Sequence, residues 1–549
     1  MRDAYSVSKV RAAEAALMAQ VPEGTLMQRA AAGLAAVCAD LLRAGGGGVY
    51  GARVVVLAGT GDNGGDALYA GERLARRGAS VTALRAGAHL HAEGSMALVG
   101  AGGRVIGVAP PRDPGATRVD LGGPAGNRGQ DRYDVGHEAR SVIGHADLII
   151  DGMLGIGGKG GLREPYATLA QLAENARHAI TVAVDLPSGI DADTGAVAGP
   201  AVRADVTVTF GAVKPGLLID PGAGHAGVVE FIDIGLGPYL DGPPEASAPQ
   251  GRDIAALLPR PTAESDKYRR GVLGLLAGSD RFTGAALLAT GGAVRGGAGM
   301  VRLVTFPGAA AAVRQVHPEV IITELAGDTR IRSESSAVSA SDSSPRFPDD
   351  VGRVQAWAVG SGMGTDDAAA RRLAAVLATS LPVLIDADGL TLLARNRELL
   401  PRPAPTLLTP HAGELGRLLD ADPADIEARR LEHARRAATM LGACVLLKGS
   451  TTVVAPPDGL DPVLVNTTGT PWLATAGTGD VLAGLAGSLL AQGLLPPQAA
   501  ICAAYLHGLA ARLAAAGDGD DDGDGGLPGA APIGAADLIT ALPLAFRAL

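Results

Sequence analysis

Short, continuous apolar runs alternate with amphipathic stretches along most of the chain. RVVVLAG at 53–59 is followed by a helical pattern, and DLIIDGMLG at 147–155 and ITVAVDLPSG at 180–189 repeat this arrangement. A continuous apolar run is typical of a strand that is buried on both faces, as in a parallel sheet covered by helices. The pattern therefore predicts an α/β fold, preceded by a helical region at 8–43.

A second series of the same kind begins at Gly271 and includes GVLGLLAG, PVLIDADG and CVLLKGSTTVVA, the last at 444–455. Two α/β domains are expected, at 1–240 and 253–549, joined by a Pro- and Gly-rich linker at 237–252. Three polar or low-complexity segments are predicted to be flexible loops. They are residues 110–137, 328–350 and 517–530.

The composition narrows the class of protein. The 549 residues carry a formal net charge of −10, which argues against a nucleic-acid or anionic-membrane surface. The three cysteines fit no metal or disulfide spacing, and the N-terminus has no apolar core of a signal peptide. We expect a cytoplasmic enzyme, without a membrane or nucleic-acid partner, that forms a homo-oligomer. Only five lysines are present, of which Lys214 and Lys267 are expected to be surface cations without a role.

The pentapeptide AGTGD occurs twice, at 58–62 and at 476–480. The first copy lies between a predicted strand and a predicted helix, an arrangement that presents backbone N–H groups to an anion. Asp62, Asn63 and Asp66 add side-chain oxygens beyond what a tight turn needs. Because two carboxylates would repel a bare pyrophosphate, a ribose hydroxyl, an amide or a cation is the better partner.

Two more glycine-rich loops follow predicted strands, at 151–161 and at 184–195. Loops at the carboxyl ends of strands in an open α/β sheet converge on one ligand site. Asn63, Asp151 and Ser188 could supply oxygens for a monovalent cation there.

Asp185 closes a predicted strand and is the candidate acid/base of this site. A cap for the turn at 187–189 is an equally good interpretation of the residues alone.

The second AGTGD precedes a helix instead of following a strand. Glycines before a helix N-terminus form a backbone anion hole, to which the helix dipole adds. Asp480 could accept the proton of a substrate hydroxyl that attacks a phosphoryl group. The alternative is an ordinary helix N-cap, although a cap does not require the preceding glycines and threonine.

Residues 1 to about 236 resemble the NAD(P)HX epimerase family, the YjeF N-terminal domain, with a Rossmann-like αβα sandwich. The resemblance is carried by GTGDNGGDALYAG, DGMLGIGGKG and AVDLPSGIDADTG. It implies potassium ligands at Asn63, Asp151 and Ser188, and Asp185 as the catalytic residue. Asp62 stands where the family usually has Asn. The residues implied to bind hydrated nicotinamide nucleotide are Asp62, Asn63, Gly64, Gly65, Asp66, Gly155, Ile156, Gly157, Gly158, Lys159, Gly160, Gly161 and Asp185.

Residues 253–549 resemble the ADP/ATP-dependent NAD(P)HX dehydratases, a ribokinase-like α/β family. Six ordered motifs carry the resemblance, among them VGSGMGTD, LTPHAGELGRLL, LLKGSTTVV and the second AGTGD. Asp480 is implied as the catalytic base, and Mg²⁺ is expected at the nucleotide phosphates. The implied contacts of the hydrated nucleotide are Ala286, Gly362, His411 and Asp480. Those of the ADP or AMP are Lys448, Gly449, Ser450, Thr451, Thr452 and Gly479.

Together the two resemblances predict a bifunctional repair enzyme for NADH and NADPH hydrated at C6. One domain would interconvert the R and S epimers, and the other would dehydrate the S epimer with ADP, giving AMP and phosphate. One alternative is a ribokinase-like small-molecule kinase. A second makes the N-terminal domain a non-catalytic nucleotide-binding or interaction module.

Overall fold

The computed structural model describes residues 1–87, 89–108, 135–325, 347–459, 462–516 and 531–549. The chain forms two compact units: Asp3–Glu245, and Ala246–Leu549 together with Met1–Arg2. The predicted loop at 517–530 lies outside the described residues. So do most of those predicted at 110–137 and 328–350, whose described ends include Val135, buried, and a short 3-10 turn at Asp349–Val351.

The N-terminal unit is built on a seven-stranded sheet in which every described pair is parallel. Strand β1 (Arg2–Ala4) comes first in the chain and belongs to the second sheet. The seven strands of the first sheet, in chain order, are β2 (Arg53–Ala58), β3 (Ser80–Arg85), β4 (Arg104–Gly107), β5 (Leu148–Gly152), β6 (Ile180–Val184), β7 (Val206–Phe210) and β8 (Val228–Ile232). The helices are α1 (Val7–Met18), α2 (Thr25–Ala44), α3 (Asp62–Arg76), α4 (Ala92–Gly100), α5 (His137–Gly144), α6 (Tyr166–Asn175) and α7 (Ala223–Ala226).

The strands lie in the order β4-β3-β2-β5-β6-β7-β8, so successive strands are added on one side of β2 up to β4 and on the other side from β5 onward. A separate apolar cluster packs on each face of the sheet, one around Leu34 and Val56 and the other around Leu57 and Ile149. The predicted α/β sandwich is therefore confirmed. In such sheets the ligand crevice opens beyond the strand ends at the reversal point.

The C-terminal unit contains a larger sheet of eleven strands, ordered β1-β9-β18-β17-β16-β15-β14-β13-β10-β11-β12. Its strands are β9 (Ala246–Ala248), β10 (Val272–Leu276), β11 (Met300–Thr305), β12 (Ile321–Glu324), β13 (Ala356–Val359), β14 (Val383–Ile385), β15 (Thr406–Leu408), β16 (Cys444–Leu447), β17 (Thr452–Ala455) and β18 (Val463–Asn466). All neighbouring strands from β12 to β16 are parallel. Their order across the sheet, relative to the order along the chain, reverses between β10 and β13.

Helices cover this second sheet. They are α8 (Gly251–Leu257), α9 (Thr283–Arg295), α10 (Pro307–Val316), α11 (Asp367–Leu377), α12 (Ala387–Arg395), α13 (Ala412–Leu419), α14 (Pro423–Ala428), α15 (Arg430–Leu441), α16 (Thr478–Ala491), α17 (Pro496–Ala516) and α18 (Ala535–Arg547). Helices α2 and α17 are long and apolar enough to cross a membrane by length and composition alone, and each contributes buried side chains to its own unit.

Two sequence interpretations are wrong in detail. The predicted linker at 237–252 contains buried strand β9 and the first residues of α8, so the second unit begins at Ala246. The single apolar run at 444–455 is an antiparallel pair, β16 and β17. Polar residues between Lys448 and Thr451 interrupt the run and form the turn between the two strands.

Candidate active sites

In the N-terminal unit, the glycine-rich loop after β2 lies against the loop after β5. A Cβ on Gly59 would be 1.9 Å from the carbonyl oxygen of Met153, and one on Gly64 would be 2.3 Å from the carbonyl oxygen of Gly59. Side chains at these two positions are therefore excluded. The first AGTGD therefore forms a closely packed backbone turn between β2 and β5, where the strand order reverses, and α3 begins at its last residue, Asp62.

Asn63, Asp151 and Ser188 come together at this point, as the sequence suggested. Ser188 Oγ donates to Asp151 Oδ1 at 2.7 Å and accepts the N–H of Leu154 at 2.8 Å. The amide nitrogen of Asn63 lies 3.3 Å from the carbonyl oxygen of Leu154. Burial raises the pKa of Asp151 to about 6, although hydrogen bonds from Ser188 and Met153 oppose the rise. A cation among these oxygens would favour the ionised carboxylate.

Asp185 does not cap the turn at 187–189. Its carboxylate accepts hydrogen bonds from Lys214, from Thr209 Oγ1 at 3.2 Å and from the N–H of Phe210 at 3.2 Å. Its backbone has a φ of +68°, which is rare for a residue with a side chain. Strained conformations of this kind concentrate at functional sites.

Lys214 was expected on the surface, and this expectation is wrong: its side chain is 1% exposed. The ammonium donates to Asp185 and lies 3.2 Å from Thr209 Oγ1 and 3.3 Å from the carbonyl oxygen of Phe210. The signal in the sequence was weak, because a lysine 29 residues beyond its partner in a Gly- and Pro-rich loop looks like any surface cation.

Two further acids lie close enough to Asp185 to feel its charge. Burial, with a contribution from the Asp185 carboxylate, raises the pKa of Asp66 well above its usual value. Burial also raises the pKa of Glu14, although Lys214 opposes this rise. Asp62 and Lys159, two of the predicted binding residues, are exposed. The site thus combines a carboxylate held by an ammonium with carboxyls that burial keeps protonated to higher pH.

In the C-terminal unit, the second AGTGD is the start of α16. Gly477, with a φ of +88°, is the N-cap, so the interpretation of Asp480 as an N-cap is wrong. Asp480 is the third residue of the helix. Burial raises the pKa of its carboxyl to about 6, the charge of Asp386 adds to the rise, and a hydrogen bond from Ser361 opposes it. A carboxyl with such a pKa can exchange protons near neutral pH.

A buried histidine supports the first turn of this helix. His507 Nε2, on α17, donates to the carbonyl oxygen of Thr478 at 2.9 Å. Burial lowers the pKa of His507 to about 4, so the ring is neutral at neutral pH and adds no charge to the site.

Lys448 extends from the end of β16 toward two carboxylates that the sequence analysis did not identify. Its Nζ lies 2.7 Å from Asp386 Oδ1 and 3.7 Å from Glu414 Oε2. Burial alone would lower its pKa, but the charges of Asp386 and Glu414 raise it. A Cβ on Gly479 would be 3.7 Å from this ammonium. The lysine therefore brings positive charge to the N-terminus of α16.

The turn that contains the predicted nucleotide-binding residues rests on Arg430, a residue of α15 that is 6% exposed. One guanidinium nitrogen lies 2.7 Å from the carbonyl oxygen of Lys448 and 3.4 Å from that of Thr451. A Cβ on Gly449 would be 2.1 Å from the same nitrogen. A side chain at 449 would therefore displace the Arg430 guanidinium from these carbonyl oxygens.

The remaining predicted substrate contacts differ in exposure. Ala286 is fully buried in the core of its unit, whereas His411 is exposed. His411 is the N-cap of α13 and its Nδ1 accepts the N–H of Gly413 at 3.0 Å. Gly362 has a φ of +60°, and a Cβ there would be 2.8 Å from that of Ala285. Among the described residues, no group of three or more His, Cys, Asp or Glu side chains could hold a metal ion.

Both halves of the chain match known families. The model described as YjeF-related protein N-terminus matches residues 23–216, and the model described as NAD(P)H-hydrate dehydratase matches residues 273–521. An ADP/ATP-dependent NAD(P)H-hydrate dehydratase from Bacillus subtilis, co-crystallized with ATP and Mg²⁺, is 28% identical. The match covers 54% of the present chain and 96% of the Bacillus subtilis chain, with a TM-score of 0.43.

Full-length relatives extend the match across both units. The bifunctional NAD(P)H-hydrate repair enzyme of Mycobacterium leprae is 42% identical over 553 residues, which is 100% of both chains. Its counterpart from Mycobacterium tuberculosis is 44% identical over 504 residues, 91% of both chains. On this identity and coverage, the chain belongs to the family of bifunctional NAD(P)H-hydrate repair enzymes.

Proposed function

We propose that the N-terminal unit interconverts R- and S-NAD(P)HX at Asp185, and that the C-terminal unit dehydrates S-NAD(P)HX with ADP at Asp480. The observation that carries the proposal is the position of these two aspartates. Each lies among glycine-rich turns in its own α/β unit, and each unit matches one half of a bifunctional family. The residue roles below follow from the contacts of each aspartate.

The dehydration begins with phosphoryl transfer. Asp480 accepts the proton of the C6 hydroxyl while that oxygen attacks the β-phosphorus of ADP, and AMP leaves. The lone pair of the ring nitrogen then expels phosphate, and loss of a proton from C5 gives NAD(P)H. These two steps replace hydroxide, a poor leaving group, with phosphate, a good one.

The N-terminus of α16 and Lys448 supply the electrostatic part of this step. Backbone N–H groups at a helix start and a nearby ammonium stabilise charge on a transferred phosphoryl group. Residues 448–452 and Gly479 bind the nucleotide phosphates in this proposal. Mg²⁺, when bound, would neutralise part of the charge of the nucleotide phosphates.

Epimerisation requires the C6 centre to lose and regain its configuration. Asp185 accepts the hydroxyl proton while the C6–N1 bond breaks, so that C6 becomes an aldehyde and the electron pair stays on N1. A proton reaches N1 from Asp66 or Glu14, whose pKa values are raised. Rotation about C5–C6 and closure on the opposite face of the aldehyde, with the proton transfers reversed, gives the other epimer.

Potassium fits the group of Asn63, Asp151 and Ser188. The Ser188 hydroxyl lies 2.7 Å from Asp151 Oδ1 and 3.3 Å from the carbonyl oxygen of Leu154, and all three oxygens are hard ligands. The side-chain amide of Asn63 donates to the carbonyl oxygens of Leu154 and Val184, so it would have to release both to turn its own oxygen toward an ion. When bound, the ion would hold the loops after β2, β5 and β6 together.

The first test uses the full chain with a mixture of R- and S-NADHX, ADP, Mg²⁺ and K⁺, and follows the recovery of NADH absorbance. Recovery of both epimers faster than spontaneous epimerisation supports both activities. Recovery of the S epimer alone would make the N-terminal unit a binding module. No recovery with either ADP or ATP would overturn the dehydratase assignment, and parallel reactions identify the preferred nucleotide.

A homo-oligomeric state and a cytoplasmic location remain predictions. Size-exclusion chromatography with light scattering would measure the first, and cell fractionation the second.

A further inference from the structure

Asp185 is held from one side only. The three donors that contact its carboxylate, Lys214 Nζ, Thr209 Oγ1 and the N–H of Phe210, all meet Oδ1. Among the described residues, none donates a hydrogen bond to Oδ2. A carboxylate with one fixed oxygen and one free oxygen has a defined orientation and still has a lone pair available for a substrate proton.

Among the described residues, Lys214 is the one side chain whose ammonium contacts this carboxylate. Two acidic side chains, Asp66 and Glu14, lie close enough for their charges to interact with that of Asp185, and Arg11 also acts on Glu14. Like charges repel, and the ammonium of Lys214 offsets this repulsion. Without it, Oδ1 of Asp185 would keep only the donors of Thr209 and Phe210, both at 3.2 Å, and would be held less firmly.

We propose that Lys214 is a positioning residue for epimerisation: it fixes Oδ1 of Asp185, so that Oδ2 faces the C6 hydroxyl and takes its proton. The side chain of Lys214 is 1% exposed and its ammonium donates to Asp185, so it acts through Asp185. This inference rests on the proposed function of Asp185 and adds the residue that makes that function possible.

The first experiment compares wild type with Lys214→Met in the full chain, and measures R-to-S conversion of NADHX without ADP after subtraction of the spontaneous rate. We expect kcat to fall about 100-fold, as for loss of acid–base catalysis, with KM changed by less than about threefold. Dehydration of S-NADHX with ADP, in the same preparation, should stay at the wild-type rate and reports that the protein is folded. Lys9→Met is the matched control, because it removes another lysine–carboxylate pair, Lys9–Glu245, in the same unit.

A second variant tests the same oxygen without removing a charge. Thr209→Val deletes the hydroxyl that donates to Oδ1, and should lower kcat in the same direction by about 5- to 10-fold, the value of one hydrogen bond. Thr207→Val is its control. Thr207 is equally buried on β7, but its hydroxyl donates to the carbonyl oxygen of Ala226.

Thr209→Val separates positioning from packing, because it removes a donor to Oδ1 without removing a charge. Wild-type kcat in Lys214→Met, with Asp185→Asn inactive, would overturn the role of Lys214 and leave that of Asp185 in place. Full activity in Asp185→Asn would overturn the proposed site itself. Loss of both activities with a lower Tm, and no effect of Thr209→Val, would make Lys214 a packing residue and overturn the inference.

Discussion

Lys448 Nζ lies 2.7 Å from Asp386 Oδ1, immediately beyond the ends of strands β16 and β14. The N-terminal unit has a comparable pair in Lys214 and Asp185. The proposed role of Asp185 is to take a proton, whereas Asp386 contacts Lys448, a proposed ligand of the nucleotide phosphates. The arginine-rich chain thus has a lysine in both sites, where it supplies a compact point charge.

The pair in the C-terminal unit gives the first prediction. Lys448→Met should raise the KM for ADP and lower dehydratase kcat/KM by about 100-fold, because a phosphate contact and a charge near the transferred group are both lost. Steady-state NADH formation from S-NADHX measures this. Lys267→Met, at an exposed lysine of the same unit, should leave the rate unchanged. An unchanged KM in Lys448→Met would contradict the phosphate contact.

The pKa of Asp480 predicts the pH dependence of dehydration. A base must be ionised, and the carboxyl of Asp480 is protonated below its pKa of about 6. Dehydratase kcat/KM should therefore be full above that pH and fall tenfold per pH unit below it. Asp480→Asn should lose about 10³-fold in kcat at pH 7 and leave epimerisation intact. A flat profile between pH 5 and 7 would assign the proton transfer to another group.

The potassium site predicts an ion-dependent rate. Ser188→Ala removes the hydroxyl that links Asp151 to Leu154, so the variant should need about tenfold more K⁺ for half-maximal epimerisation than wild type. Titration of the rate with KCl, at constant ionic strength kept with a tetraalkylammonium salt, measures this. Dehydration in the same preparation is the control. Identical K⁺ curves would place the ion elsewhere.

The contact between the loops after β2 and β5 predicts a stability effect. Gly59→Ala places a Cβ 1.9 Å from the carbonyl oxygen of Met153, so the loops must separate, at a cost of about 1–3 kcal/mol in the unfolding free energy. Thermal or urea unfolding of the variant measures this. Gly47→Ala is the control, because a Cβ there meets no atom within 4 Å. Equal destabilisation by both variants would point to backbone entropy rather than to the contact.

Motifs placed in glycine-rich loops could be predicted from the sequence because their position relative to a strand or a helix is local. The order of β2, α3 and the first AGTGD needed only hydrophobic patterning, and the meeting of Asn63, Asp151 and Ser188 followed from the edge rule for parallel sheets. Lys214, Asp386, Glu414 and Arg430 were missed. Their roles depend on which side chains the fold brings together across more than 15 residues, and no periodicity carries that information.

The boundary at Ala246 was missed for a related reason. Strand β9 has three small residues and no apolar run of its own, and its neighbours in the sheet complete it, among them β18, more than 200 residues later. Hydrophobic patterning detects strands that contain an apolar run, and it overlooks short strands that form through pairing with a strand distant in the sequence.

The hydrogen bonds from Arg430 to the turn between β16 and β17 also affect what a substitution at Gly449 would do. A planar peptide points its C=O and N–H in opposite directions, so the carbonyl of Lys448 facing Arg430 turns the N–H of Gly449 to the other side of the turn. A side chain at 449 would meet the guanidinium of Arg430, so the arginine would have to move and give up contacts to the carbonyl oxygens of Lys448 and Thr451. A substitution at 449 would therefore alter the orientation of the turn through a residue of a different element, and the binding of any ligand by this turn would respond to both positions.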